Sequence, residues 1–299
     1  CGLLLGEERL RRRAGTLARG RLTAGPEFDL VSGTAGAVAA LLALSRLLDD
    51  ERLAQRAARL SDELAGAARP GPQGRAWPAT GQRRAHDLCG LAHGASGAAW
   101  ALLELFAVTG DARHRQAAQH ALAYERHWFD ERSGDWPDLR GVARSEPRGS
   151  FASAYPGTWA DGAPGIALAR LRAWKVLGDE RCRAEAVTAL ATTAAGVERA
   201  LLHPGADFSL GSGISGSADV LALGAELAPA GPALASRAAQ IGVGRYAGSV
   251  EGWPCGGAGG GLAPSLLSGH AGVGLFYLRL HDRTVPSALL VGAPLPGSR

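Results

Sequence analysis

The sequence predicts an all-α protein: an α/α toroid, or barrel, of repeated helical hairpins with Gly-x-x-Gly turns at the rim of a central cavity. Three observations lead to this prediction. A glycine motif recurs along the chain, each recurrence opens an apolar helix, and an amphipathic helix follows each of the first three. A motif that recurs along a chain, here at intervals of roughly 50 to 70 residues, indicates a fold built from repeated supersecondary units. We therefore expect residues 1–299 to form a single toroidal domain.

Each repeat carries two glycines three residues apart at the start of its apolar helix. Glycine permits tight turns and close approach of helices, so packing alone accounts for these positions. The helix N-termini that meet at the same rim also present backbone N–H groups and a partial positive charge, which makes neighbouring cavity-facing residues candidates for function. The pairs are Gly33/Gly36, Gly94/Gly97, Gly162/Gly165, Gly213/Gly216 and Gly269/Gly272.

The second helix of each of the first three hairpins is predicted to begin at an Asp, within the segments LLDDERLAQ, VTGDARHRQ and VLGDERCRA. An Asp at the N-cap accepts the unpaired N–H groups of the first turn. The first helices are apolar nearly all round, whereas the second carry charged residues on one face. Apolar helices inside and amphipathic helices outside satisfy both patterns, and closing the ring removes the ends that an open solenoid must cap.

Composition narrows the functional classes. The chain is 46% hydrophobic and 20% charged, with a net charge of +4, which is typical of a globular protein and excludes a disordered one. The sequence contains no apolar run of about 18 residues, so we expect no membrane span. Its arginines are scattered without interleaved aromatic residues, so we expect no nucleic-acid partner. The four cysteines lie far apart, which favours free thiols in the cytoplasm. Because the chain begins at Cys1 and contains no Met, we expect it to be part of a longer polypeptide.

Four segments in this order resemble the successive motifs of lanthionine synthetase C-like cyclases: GLAHGASG, WADGAPGI, GSGISGSADVL and PSLLSGHAGVGLFYLRL. The resemblance covers roughly residues 25–295, including the tail VPSALLVGAP. It implies an enzyme that forms carbon–sulfur bonds in a ribosomal precursor peptide, by adding a Cys thiol to a dehydroalanine or dehydrobutyrine.

The zinc ligands of the family are replaced in this chain. Zinc-dependent members carry Trp-Cys-x-Gly and Cys-His-Gly, and the matching positions here are Ala160, Gly211 and Ser212. None of these side chains is one of the thiolate, imidazole or carboxylate ligands of protein zinc sites. The loss resembles the zinc-free cyclase domain of class III lanthipeptide synthetases, which follows lyase and kinase domains in one polypeptide. The resemblance therefore implies no metal, no cofactor, and two kinds of partner: the dehydrated precursor peptide and the upstream lyase and kinase domains.

Three residues are predicted to carry catalysis. His93 matches the catalytic His of the family, and without zinc a neutral imidazole is a suitable base for a thiol; a structural histidine capping its turn is the alternative. Asp161 follows the lost Cys and is predicted to orient His93 or to accept a proton itself. Asp29 matches a cavity-side Asp of the family. For both carboxylates, N-capping of the following helix is the alternative.

Three further residues are predicted to bind the substrate: Trp159, Tyr155 and His270. His270 stands where the family's last repeat usually has an apolar residue, and it is also a candidate second acid–base group. A family arginine that stabilises the enolate corresponds to Pro156, and Arg144 or Arg148 on the preceding loop is predicted to substitute for it.

Two other functions remain open from the sequence. One is a scaffold domain of the same synthetase that binds the peptide without catalysing ring closure, since dehydroalanine and thiols also react unaided at higher pH. The other is an unrelated α/α-barrel glycosidase with Asp29 and Asp161 as its carboxylate pair, although such enzymes usually line their cavity with more aromatic side chains than this sequence offers.

Overall fold

The structure is a computed structural model that describes residues 6–21, 27–79, 85–150, 154–248, 252–255 and 263–291. These residues form ten helices and one short antiparallel hairpin. The elements are α1 (Glu8–Arg21), α2 (Thr34–Leu48), α3 (Glu51–Ala67), β1 (Arg69–Gly71), β2 (Gly74–Ala76), α4 (Ala95–Thr109), α5 (Ala112–Trp128), α6 (Ala163–Leu177), α7 (Glu180–Leu201), α8 (Ile214–Leu223), α9 (Gly231–Tyr246) and α10 (His270–His281). No helix in these ranges is long and apolar enough to cross a membrane.

The helices form hairpins that follow one another around a ring. The pairs α2–α3, α4–α5, α6–α7 and α8–α9 pack together, and α2, α4, α6, α8 and α10 pack side by side in that order. The first three turns of α4 and α6 are buried all round, whereas α3, α5 and α7 are buried along one face only. The predicted α/α toroid, with apolar helices inside, is therefore confirmed.

The predicted helix starts are also confirmed. The first glycine of every motif is the N-cap of an inner helix. Asp50, Asp111 and Asp179 are the N-caps of α3, α5 and α7, and each carboxylate accepts the backbone N–H two residues further on. The last outer helix, α9, differs because its N-cap is Ala230, and Pro232 in its first turn takes a position where no N–H is needed.

Close backbone approach requires the second glycine of each motif. A Cβ on Gly165 would lie 2.0 Å from the carbonyl oxygen of Trp159, far inside van der Waals contact. The corresponding carbonyl lies at 2.1 Å for Gly36, 2.3 Å for Gly97, 1.8 Å for Gly216 and 2.0 Å for Gly272. The packing interpretation of these glycines therefore holds at the second position of every repeat.

The C-terminal segment 285–291 joins three hairpins. The indole N–H of Trp100 on α4 donates to the carbonyl of Val291 at 2.8 Å, and that of Trp159 donates to the carbonyl of Leu289 at 3.2 Å. The Ser287 hydroxyl donates to Asp219 on α8 at 2.6 Å. Leu289 is fully buried in the main hydrophobic core.

Backbone hydrogen bonds join the turns of the first three repeats at the rim. The N–H of Leu30 donates to the carbonyl of Ala92, and the N–H of Ala92 donates to the carbonyl of Ala160, each at 3.0 Å. Asp29, His93 and Asp161 each lie next to one of these residues in the sequence. The backbone itself therefore brings the three predicted catalytic residues to one part of the rim.

Candidate active site

A cavity of about 200 Å³ lies where the turns of the first two repeats meet the loop after α5. It contains Asp29 and His93, two of the predicted catalytic residues, together with Arg140, which the sequence analysis did not single out. The remaining lining residues are Glu27, Phe28, Trp77, Pro78, Ala79, Leu88, Gly94 and Ala98.

Asp29 and His93 form a hydrogen-bonded pair between two repeats. The Nδ1 of His93 lies 2.8 Å from Oδ2 of Asp29. A carboxylate can only accept, so Nδ1 carries the proton and the lone pair of the neutral imidazole is on Nε2. Ser32 also donates to this carboxylate, through its backbone N–H at 2.6 Å and its hydroxyl at 3.1 Å.

The pair shifts the pKa values of both residues. The hydrogen bond to Asp29 raises the pKa of His93, against the effect of burial, and the negative charges of Asp29 and Asp161 raise it further. Burial raises the pKa of Asp29, but the hydrogen bonds from His93 and Ser32 outweigh it, so this pKa lies below its ordinary value. Asp29 is thus ionised at neutral pH, as an orienting group must be.

Arg140 links the third repeat to this pair. One of its terminal nitrogens donates to Asp161 at 2.8 Å and the other to Asp138 at 3.0 Å. Asp161 was predicted to orient His93; the structure gives that contact to Asp29, and Asp161 instead acts on His93 through its charge while it holds Arg140.

Neither predicted catalytic carboxylate is an N-cap. The N-caps of α2 and α6 are the glycines Gly33 and Gly162. The capping alternative for Asp29 and Asp161 is therefore wrong. The reason is geometric: the glycine motif itself supplies the residue that enters each helix, so the Asp lies outside the cap position.

The three residues predicted to bind substrate lie apart. Trp159 is only 3% exposed, and its ring packs in the core, where its N–H binds the carbonyl of Leu289. Tyr155 donates its hydroxyl to Asp130 at 2.6 Å and lines a second cavity, of about 440 Å³, beside α6, α7 and α8. His270 is the first residue of α10, outside both cavities.

His270 contacts Cys255. The cysteine sulfur lies 3.6 Å from Nδ1 and 4.0 Å from Nε2. Such similar distances place the sulfur against the ring face rather than along the lone pair of either nitrogen. Nδ1 also lies 3.2 Å from the carbonyl oxygen of Ala263, to which it can donate. Burial raises the pKa of the Cys255 thiol, so this pair is not an activated nucleophile.

The two arginines predicted to replace the family arginine are engaged elsewhere. Arg144 donates to the carbonyl of Ala85 at 2.9 Å and pairs with buried Asp87. Arg148 donates to the carbonyl of Phe129. The guanidinium in the cavity is that of Arg140, on the same loop.

The residues at the family's zinc positions do not fit a metal. Ala160, Gly211 and Ser212 offer no thiolate, imidazole or carboxylate. Among the residues that the structure describes, no cluster of three His, Cys, Asp or Glu side chains is arranged to hold a metal ion. Cys89 is buried, and burial raises the pKa of its thiol well above the ordinary value, as expected of a structural cysteine.

The chain was compared with known protein families. The sequence model of the family described as lanthionine synthetase C-like protein matches residues 7–290. The chain belongs to the lanthionine synthetase C-like family. This membership confirms the resemblance seen in the sequence motifs, and it removes the support for an unrelated glycosidase.

Comparison with solved structures agrees on the fold. Among 13 matching chains, nisin cyclase superposes with a TM-score of 0.65 at 18% sequence identity, covering 95% of this chain and 70% of that chain. The comparison with individual curated proteins gives no significant match. The lanthionine synthetase C-like toroid is thus well supported, and what this member does with it depends on its own site residues.

The sequence motifs pointed to His93 and Asp29, which line this cavity, but not to Arg140, which lines it as well. The only signal for Arg140 is its spacing in Asp138-x-Arg140, within a loop that contains several other arginines. Irregular loops give no periodicity from which the direction of a side chain can be inferred.

Proposed function

We propose that this chain is the cyclase domain of a class III lanthipeptide synthetase. It catalyses the zinc-independent Michael-type addition of a peptide Cys thiol to dehydroalanine or dehydrobutyrine, forming (methyl)lanthionine or labionin. The observation that carries the proposal is the 2.8 Å hydrogen bond between Asp29 and His93, in a cavity that also holds Arg140. These residues offer a base, its orienting carboxylate and a fixed cation.

His93 is the proton carrier in this proposal. A Cys thiol with a pKa of about 8.5 is mostly protonated at neutral pH, so it needs a base. Nε2 of His93 takes the thiol proton, and Asp29 stabilises the resulting imidazolium through Nδ1. The thiolate then attacks the β-carbon of dehydroalanine, a C–S bond forms, and the π electron pair of the double bond moves into an enolate.

The enolate has two possible fates. The imidazolium of His93 returns its proton to the α-carbon, which gives lanthionine and regenerates the neutral base. Alternatively, the α-carbon attacks the β-carbon of a second dehydroalanine, and the proton goes to the second α-carbon, which gives labionin. In both cases every proton removed from the thiol ends on carbon, and no oxidant or reductant is needed.

Arg140 is the group that we propose to stabilise the enolate. Its guanidinium is held between Asp138 and Asp161, and each terminal nitrogen carries a second N–H. A cation fixed before the reaction stabilises developing negative charge without reorganising. Asp161 thus acts by positioning Arg140.

The precursor peptide also needs a surface beyond the reacting residues. Tyr155 lines the second cavity together with Ser212, at one of the family's zinc positions. We assign peptide contact to Tyr155 rather than to Trp159, whose ring is buried. The other expected partners are the lyase and kinase domains of a cytoplasmic synthetase.

The decisive test is mass spectrometry of thiol-capped peptide. A dehydrated, uncyclised precursor is incubated at neutral pH with this chain, with the His93→Ala variant, or with buffer. We expect free thiols to disappear faster with the wild-type chain than in buffer, and this rate to be unaffected by a metal chelator. His93→Ala, with an unchanged melting temperature, should match the buffer rate.

Each result has a distinct meaning. Equal rates for wild type and buffer would support the scaffold domain instead of an enzyme. Full activity of a folded His93→Ala variant would remove His93 from the mechanism. Loss of wild-type activity with chelator, and its recovery with zinc, would contradict the zinc-independent reaction.

A further inference from the structure

The turn that carries His93 is anchored at both ends by one carboxylate from an outer helix. Glu125 lies on α5 and is fully buried. Its Oε1 accepts the backbone N–H of Gly90 at 2.8 Å and that of Ser96 at 2.9 Å, while Oε2 accepts the Ser96 hydroxyl. His93 lies midway between the two anchored residues.

A buried arginine balances the charge of Glu125. Arg170 on α6 is also fully buried, and its Nη2 lies 3.1 Å from Oε2 of Glu125. The Nε of Arg170 donates to Glu185 on α7 at 2.7 Å. A buried ion pair gains little net stability over apolar packing of the same volume, so its place in the structure calls for another explanation.

This anchoring is specific to the second repeat. The turns before α6 and α8 use nearby loop carboxylates instead: Asp135 accepts the N–H of Ala163, and Asp207 accepts that of Ser209. Within the described part of the chain, only the turn before α4 receives a carboxylate from an outer helix. It is also the turn whose histidine must meet a residue of another repeat.

We propose that Glu125 is a positioning residue for His93, which rests on the proposed role of His93 as the base. The contact between His93 and Asp29 joins side chains of two repeats, so its length depends on where the second turn lies. Holding both ends of that turn fixes the imidazole against Asp29. A displacement of about 1 Å can cost roughly a hundredfold in rate.

The test compares Glu125→Gln with Glu185→Gln. Both variants remove one negative charge from the cluster around Arg170, but the other partners of Glu185 are Arg126 on α5 and Arg181 on α7, away from the turn. Two quantities are measured: the pKa of His93 by NMR titration, which requires no cyclisation, and kcat and KM for ring closure.

In Glu125→Gln we expect the pKa of His93 to fall towards its ordinary value and kcat to fall about 10- to 100-fold with KM little changed. In Glu185→Gln both should stay near wild type, even though the melting temperature falls. The largest charge effects on His93 come from Asp29, Asp161 and Arg140. Because Glu185→Gln removes a charge from the same cluster, a fall in the pKa of His93 that is confined to Glu125→Gln reports the position of the ring rather than the loss of a charge.

An unchanged pKa of His93 in folded Glu125→Gln, or an equal shift in both variants, would overturn the proposal. A lower pKa with unchanged kcat would support the positioning role of Glu125 and contradict the role of His93 as base, so the two failures are distinguishable. If Glu125→Gln does not fold, Ser96→Ala decides: loss of the hydroxyl donor alone should shift the pKa of His93 in the same direction, and no shift would overturn the proposal.

Discussion

At the scale of single residues, the two carboxylates of the candidate site make different contacts. Asp29 contacts the imidazole of His93, while Asp161 contacts Arg140 and reaches His93 only through its charge. The two aspartates should therefore differ in their effect on the pKa of His93. The pH dependence of cyclisation can separate these effects.

Asp29→Asn should move the acid limb of the rate profile to lower pH. In the proposed mechanism His93 is the base and must be neutral to accept a proton. Asp29 raises the pKa of His93 by stabilising the imidazolium, so removing that charge favours the neutral form at lower pH. The plateau rate should fall by roughly 10²-fold because the ring loses its orienting contact. Asp161→Asn removes a nearby negative charge but no hydrogen bond to His93, so it should move the acid limb of the rate profile less. Superimposable profiles for wild type and Asp29→Asn would contradict this.

Arg140→Gln should reduce kcat by about 10²- to 10³-fold, the usual effect of losing a fixed electrostatic stabiliser. Arg148→Gln is the matched control on the same loop, because Arg148 donates to the carbonyl of Phe129 and does not line the cavity. Its rate should stay near wild type. Steady-state cyclisation kinetics measure both, and equal losses would show that the loop, not the guanidinium of Arg140, matters.

At the scale of helices and turns, the second glycine of each motif sets how closely an inner helix approaches the turn before it. Gly165→Ala should destabilise the fold by roughly 2 kcal/mol or more, because its Cβ would lie 2.0 Å from a backbone carbonyl that cannot rotate away. Gly274 on α10 is the matched control, since nothing lies within 4 Å of a Cβ there. Gly274→Ala should stabilise the fold by about 0.5–1 kcal/mol. Urea denaturation measures the change in the free energy of unfolding for both variants. A change of the same sign in the two would contradict the steric explanation.

The elements show where sequence reasoning succeeds and where it stops. Helix starts were predictable because the Asp caps and glycine pairs act through contacts a few residues away. His93 was predictable from a motif. The role of Glu125 was not, because it depends on a residue of an outer helix reaching a turn about 30 residues away in sequence. The burial of Trp159 escaped prediction for the same reason, since its partner is Leu289.

At the scale of the whole molecule, segment 285–291 contacts three hairpins of the ring. Its contacts reach Trp100 on α4, Trp159 before α6 and Asp219 on α8. A segment that joins separate repeats makes their unfolding more cooperative than in an open solenoid, where each repeat contacts only the next. Damage to it should therefore weaken the ring as a whole.

Leu289→Ala tests this cooperativity. Leu289 is fully buried, so the substitution should lower the free energy of unfolding by about 2–5 kcal/mol, whereas Leu266→Ala, at a site 45% exposed, should cost less than about 1 kcal/mol. Hydrogen exchange then locates the loss. If the segment couples the unfolding of the hairpins, α4, α6 and α8 open in one cooperative transition. Leu289→Ala should then reduce the protection of backbone amides from exchange equally in all three helices. Loss of protection confined to residues 285–291 would instead mean that the hairpins hold the toroid closed without the segment.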